Sequence, residues 1–222
     1  MSKKTRRTLS NVLLGLCIAL FLFSLFMLGR ELLQRKADSN RFRNLAQRTL
    51  LDPDATAPGA AADPEDPLAT GSGTGAIHRR NMAALIQENP DSAAWVQIRG
   101  TSIDYPVMHT PTEPQKYLRR DFYGDYSAGG TPFLDDGETL DCDNLIVYGH
   151  HMQTGELFSD LLNYEEQDYW KEHPLVEFET AEGWAQYRIF AAAPVQEADD
   201  WYSFHWATDP ETFSQSVAEL LN

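Results

Sequence analysis

Two adjacent histidines, His150 and His151, and one thiol outside the apolar N-terminal stretch, Cys142, are the side chains here best suited to proton transfer or nucleophilic attack. An imidazole has an unperturbed pKa of about 6.5, so His150 can serve as a general acid or base near neutral pH. A thiol beside it would complete an activated nucleophile. Cys142 lies eight residues upstream of His150, however, and an extended segment of that length covers about 26 Å. Only a sharp reversal at Asp143-Asn144 would bring sulfur and ring together, so Cys142 reads as structural filler. Paired histidines also bring a metal to mind. Neighbouring residues on an extended chain point to opposite faces, and no third ligand stands at a His-Glu-x-x-His spacing. A zinc hydrolase is therefore the weaker reading, and neither a metal nor another cofactor is expected.

The elements around His150 decide whether it can work. In Asn144-Leu-Ile-Val-Tyr-Gly-His-His-Met152 the four residues Leu145–Tyr148 predict a buried strand. Gly149 lets the backbone turn or lets another group approach closely, and His150 falls at the strand's exposed end. β-Branched and aromatic residues between turn signals predict further strands at Ala94–Ile98, Ile103–Val107, Pro132–Leu134, Leu175–Glu179 and Trp184–Ala192. A helix is expected from about Ile77 to Asn89-Pro90, with short helices over Glu156–Leu162 and Glu165–Glu172. Asp209-Pro210-Glu211-Thr212 reads as the start of a last amphipathic helix. The result is a mainly β domain with peripheral helices (α+β), of about six strands with an open edge.

Charge divides the chain. Met1–Arg48 holds ten Lys/Arg and two acids, and the remainder eight Lys/Arg against thirty-one Asp/Glu, so the two parts carry about +8 and −23. An acidic domain of that kind is repelled by phosphate backbones, which argues against nucleic-acid binding. Val12–Leu28 has no charge over seventeen residues, just enough for a helix to cross about 30 Å of hydrocarbon. Lys3, Lys4, Arg6 and Arg7 precede it, so the N-terminus is expected in the cytoplasm and the rest outside. A cleaved signal peptide fits less well, because the apolar run is long and no Ala-x-Ala follows it. The expected organisation is a basic cytoplasmic segment (1–11), a transmembrane helix (12–28), a juxtamembrane helix or stalk (29–51), a flexible Pro/Ala/Gly/Asp linker (52–76) and a folded domain (77–222). The linker composition does not bury enough apolar surface to offset its ordering entropy.

Six stretches then occur in order: Asn89-Pro-Asp-x-x-x-Trp95-Val-x-Ile98, Gly100-Thr-x-Ile-Asp-Tyr-Pro-Val107, Tyr117-Leu118, Phe133-Leu-Asp135, Asn144-x-x-x-Tyr-Gly-His-His151 and Tyr187-x-Ile-Phe190. Together they make the chain resemble a class B sortase, the membrane-anchored cysteine transpeptidases of Gram-positive bacteria. The resemblance implies a closed β-barrel whose seventh strand ends in a cysteine and whose eighth carries an arginine, with His150 matching the family histidine and Leu118 lining the substrate groove. It implies as partners surface proteins bearing a C-terminal sorting signal, a peptidoglycan or pilin amine as acceptor, and the membrane. No cysteine follows His150, and the last arginine is Arg188. The expectation is therefore a sortase-like barrel lacking its last two strands, its C-terminal portion absent, and inactive as it stands. The competing reading is a non-catalytic, membrane-anchored binding or scaffold protein that keeps part of the barrel.

Overall fold

The computed structural model describes residues 3–51, 79–195 and, further on, Glu211, Thr212, Ser214, Gln215 and Ala218. The expected linker lies outside the described residues, as does most of the last helix, of which those five positions are helical. The chain divides into two units, Met1–Arg41 and Phe42–Asn222.

The first unit belongs to helix α1, which runs from Lys3 to Thr49 without a break at Gly29. Residues 13–28 are exposed throughout, including Leu22, Phe23 and Phe26. Among the described residues α1 is the one helix long and apolar enough to cross a membrane. A helix apolar all round calls for a non-aqueous surrounding.

The second unit is built on one curled, mixed six-stranded sheet with the order β4-β3-β2-β1-β5-β6, an open half-barrel. Its strands are β1 (Ser92–Gln97), β2 (Asp104–Met108), β3 (Phe133–Leu134), β4 (Val147–Tyr148), β5 (Leu175–Thr180) and β6 (Trp184–Arg188). The pairings are antiparallel except β2 with β3, where Met108 stands opposite Phe133. Strand β6 is shorter than the run Trp184–Ala192 predicts. The Ile189 amide bonds to the Pro174 carbonyl at 2.9 Å, just before β5 begins, so the ladder runs out and Phe190 is left exposed. Helix α2 (Met82–Glu88) starts later than Ile77, at the Asn81 cap, whose side chain accepts from the Ala84 amide at 3.0 Å. The helix expected over Glu156–Leu162 is a 3₁₀ helix at Phe158–Glu165, followed by α3 (Gln167–Glu172).

The folded unit includes residues that the sequence assigns to the stalk. Phe42, Leu45 and Ala46, on one face of α1, join Trp95, Ile103, Tyr105, Val107 and Leu134 in the core. Phe42 meets the Tyr105 ring edge-on at 5.4 Å. Arg80 ties this helix end to the sheet. Its guanidinium donates to the Ala46 carbonyl near the C-terminal end of α1, which the Thr49 hydroxyl also reaches at 3.3 Å. It also pairs with Asp104 at 2.5 Å and lies 4.5 Å above the Trp95 ring, whose Nε1–H reaches the same Asp104 oxygen at 2.7 Å. Arg80 is almost fully buried, so these contacts replace much of the water it has lost, although its Nε finds no acceptor among the described residues.

Candidate active site

β4 sits at the edge of the sheet, with Tyr148 opposite Phe133 and Val147 opposite Leu134. Buried Glu138 secures its start by accepting the Ile146 amide at 2.6 Å. The strand stops at Gly149, where an added Cβ would lie 2.5 Å from the Phe158 ring. A glycine is required there by close packing, and the chain then leads directly into His150.

His150 is half-buried and lines an open cleft of about 940 Å³ together with Leu118, Thr131, Phe133, Asp135 and Tyr148. The structure thus brings together the two residues singled out from the sequence, His150 from the end of β4 and Leu118 from the 3₁₀ helix Lys116–Arg119. Lys116, also on the cleft wall, is held by Asp91 at 2.5 Å, and the Tyr148 hydroxyl donates to Asp135 at 2.8 Å. His151 is exposed, forming a bridge to Leu157. Cys142 does not line the cleft. It closes a turn in which its sulfur lies 3.3 Å from the Thr139 amide. Among the described residues no three His, Cys, Asp or Glu side chains are grouped to hold a metal ion.

The His150 ring titrates below its ordinary value of 6.5, chiefly because burial strips water from the charged form and also because the Arg119 charge opposes a second cation. A hydrogen bond to the Gly129 backbone acts the other way. The unfolded chain therefore takes up a proton here before the folded one does. The contribution of this site to stability is whole above pH 6.5 and falls as pH drops below that value. Arg119→Gln is expected to move the His150 midpoint upward, as read by NMR titration of the ring. An unchanged midpoint would show that burial alone sets the shift.

Sequence reading missed Arg119 and Gly129 as neighbours of the ring. Neither carries a local signal, since each is brought near the ring from a distant part of the chain.

No family model matches the chain. It is 30% identical over 220 residues to the sortase B of Listeria monocytogenes, a match covering 96% of this chain and 80% of that protein. With the sortase B of Staphylococcus aureus it shares 29% over 135 residues, 60% of this chain and about half, 55%, of the relative's length. Among solved structures, a Staphylococcus aureus sortase B-substrate complex superposes with a TM-score of 0.58 at 28% identity, over 62% of this chain and 64% of that one. Identity of 30% over nearly its whole length, together with a superposable fold, makes this chain a member of the sortase B family.

Proposed function

We propose that these residues carry the histidine and the substrate cleft of a class B sortase, a cysteine transpeptidase that cleaves a C-terminal sorting signal and joins the freed protein to the cell wall or to a pilin subunit. In that reaction a thiolate adds to the threonine carbonyl of the signal, His150 protonates the departing amine, and an acceptor amine resolves the thioester. An arginine steadies the substrate or the oxyanion. The basic N-terminus lies in the cytoplasm, α1 spans the membrane, and the acidic domain faces the envelope outside.

The observation that carries this reading is the meeting of His150 and Leu118 on one cleft at the end of β4. Cys17 and Cys142 are the two thiols of the sequence, one within the apolar part of α1 and the other tied into the Thr139 turn. Cys142 does not line the cleft and Cys17 lies in the apolar helix, so the 222 residues alone are expected to be inactive. That lack favours, as a second reading, a non-catalytic binding or scaffold protein.

Fluorescence anisotropy with a panel of labelled sorting-signal peptides tests the cleft. Binding is expected without any thioester adduct in the mass spectrum, and failure of every peptide to bind would count against both readings. Appending the two strands of a sortase B relative that bear its cysteine and arginine separates them. Peptide turnover by the fusion supports the enzyme, and binding with no turnover supports the scaffold.

A further inference from the structure

Between the cleft residues Lys116 and Leu118 stands Tyr117, a side chain with almost no solvent exposure. Phenylalanine would fill the same space, so the hydroxyl calls for a reason. Once buried, it must find partners in exchange for water. It has two, one on each side of its proton: the Asn89 side-chain amide donates to it at 2.8 Å, and it donates to the Asp91 carboxylate at 2.8 Å.

Both partners come from the segment Asn89-Pro90-Asp91, which follows α2. Proline disfavours helical geometry in the residue before it, and Asn89 stands at φ −137° and ψ 107°, where the helix ends. Its side chain is then fully used. Nδ2 also donates to the Phe122 carbonyl at 2.6 Å, and Oδ1 accepts the Asp91 amide at 3.0 Å. A carbonyl only accepts, so the Asn89 atom facing Phe122 is nitrogen. The Asp91 oxygen that receives Tyr117 also receives the Lys116 ammonium at 2.5 Å. Asn89 and Asp91 thus hold the segment 116–122 at both ends. From another side the Thr131 amide bonds to the Tyr117 carbonyl at 3.0 Å, and an added Cβ on Gly130 would strike the carbonyl oxygens of Tyr117 and Leu118. A 3₁₀ helix of only four residues, Lys116–Arg119, has few bonds of its own, so these external bonds set its place.

We infer that Asn89 and Asp91 are positioning residues for the peptide-binding wall of the cleft: acting through the Tyr117 hydroxyl, they fix the 3₁₀ helix that presents Leu118 to a bound sorting signal. A buried polar network with every member bonded holds one geometry where apolar packing alone would allow several. The Lys116 ammonium is committed to Asp91, which leaves Leu118 as the part of this helix that meets the peptide. The inference deepens the proposed reading of the cleft and rests on it.

The test combines hydrogen exchange of the full chain in detergent, read by mass spectrometry, with fluorescence anisotropy of the labelled sorting-signal peptides. Tyr117→Phe keeps the ring and removes the shared oxygen. Exchange over residues 116–122 should rise, β1 and β5 should keep their rates, and peptide affinity should fall about tenfold, as loss of a hydrogen bond to a charged group implies. Asp91→Ala should do the same from the other partner. Asp91→Asn, whose amide oxygen still accepts from Tyr117, should restore most of the affinity. If Tyr117→Phe fails to fold by circular dichroism, the two Asp91 variants decide. Unchanged affinity in the folded variants, or exchange raised evenly across the sheet as a merely structural role requires, would overturn the inference alone. Failure of every peptide to bind the unmodified chain would remove the reading of the cleft and the inference with it.

Discussion

Replacing His150 by alanine is expected to lower transpeptidation about 10²- to 10⁴-fold, the usual contribution of a positioned acid or base, in a form of the protein completed with a thiol and an arginine. The loss should fall on kcat with KM little changed, because the half-buried ring lines only part of a cleft that Leu118, Phe133 and Tyr148 also shape. The fold should survive. The backbone bond from the Phe158 amide to the His150 carbonyl, at 3.1 Å, remains available to alanine. His151 is exposed and pairs through its backbone with Leu157, so His151→Ala should leave the rate close to that of the parent. Continuous cleavage of a fluorogenic sorting peptide measures both variants. Turnover by His150→Ala near the parent rate would remove this residue as the acid/base.

A fragment comprising residues 77–222 is expected to be digested rapidly by protease under conditions in which residues 42–222 resist. The shorter piece loses Phe42, Leu45 and Ala46 from the core and leaves the buried guanidinium of Arg80 without its Ala46 acceptor. Burial of a Phe or Leu side chain contributes about 1.5–3 kcal/mol, and an unsatisfied buried polar group costs about 1–3 kcal/mol. Those terms together rival the 5–15 kcal/mol by which a domain is typically stable. Within the full chain, Leu45→Ala should by itself cost about 2–5 kcal/mol in urea denaturation, because Leu45 has no solvent exposure at all. Equal protease resistance of the two fragments would show that the end of α1 is dispensable to the domain.

Much of the site was legible because its signals are local. The run Leu145–Tyr148, ended by a glycine and a histidine, marks a strand and its exit within a handful of residues. The observed β4 is two residues long, since pairing with β3 extends only over Leu134 and Phe133. The core contribution of α1 was harder to see. Phe42, Leu45 and Ala46 stand at i, i+3 and i+4, but they are set among Arg41, Arg43 and Arg48, so the stretch reads as a charged stalk. The Arg80 pocket between α1, β1 and β2 reverses that reading, and nothing near Arg80 in the chain forecasts it. Leu118 was reachable through family resemblance alone, since a lone leucine beside a tyrosine carries no signal of a cleft.

By itself the sequence determined an apolar helix at the N-terminus, an acidic, mainly β domain after it, and a histidine delivered at the end of a strand. Each of these is written in composition or in a period of two or 3.6 residues, which a short window contains. Tertiary structure alone decided that the end of α1 joins the core, that Leu118 and His150 line one cleft, and that the Arg119 charge acts on the ring. A periodic pattern states which face of an element must be buried, but the partner that buries it is chosen by packing among segments far apart in the chain.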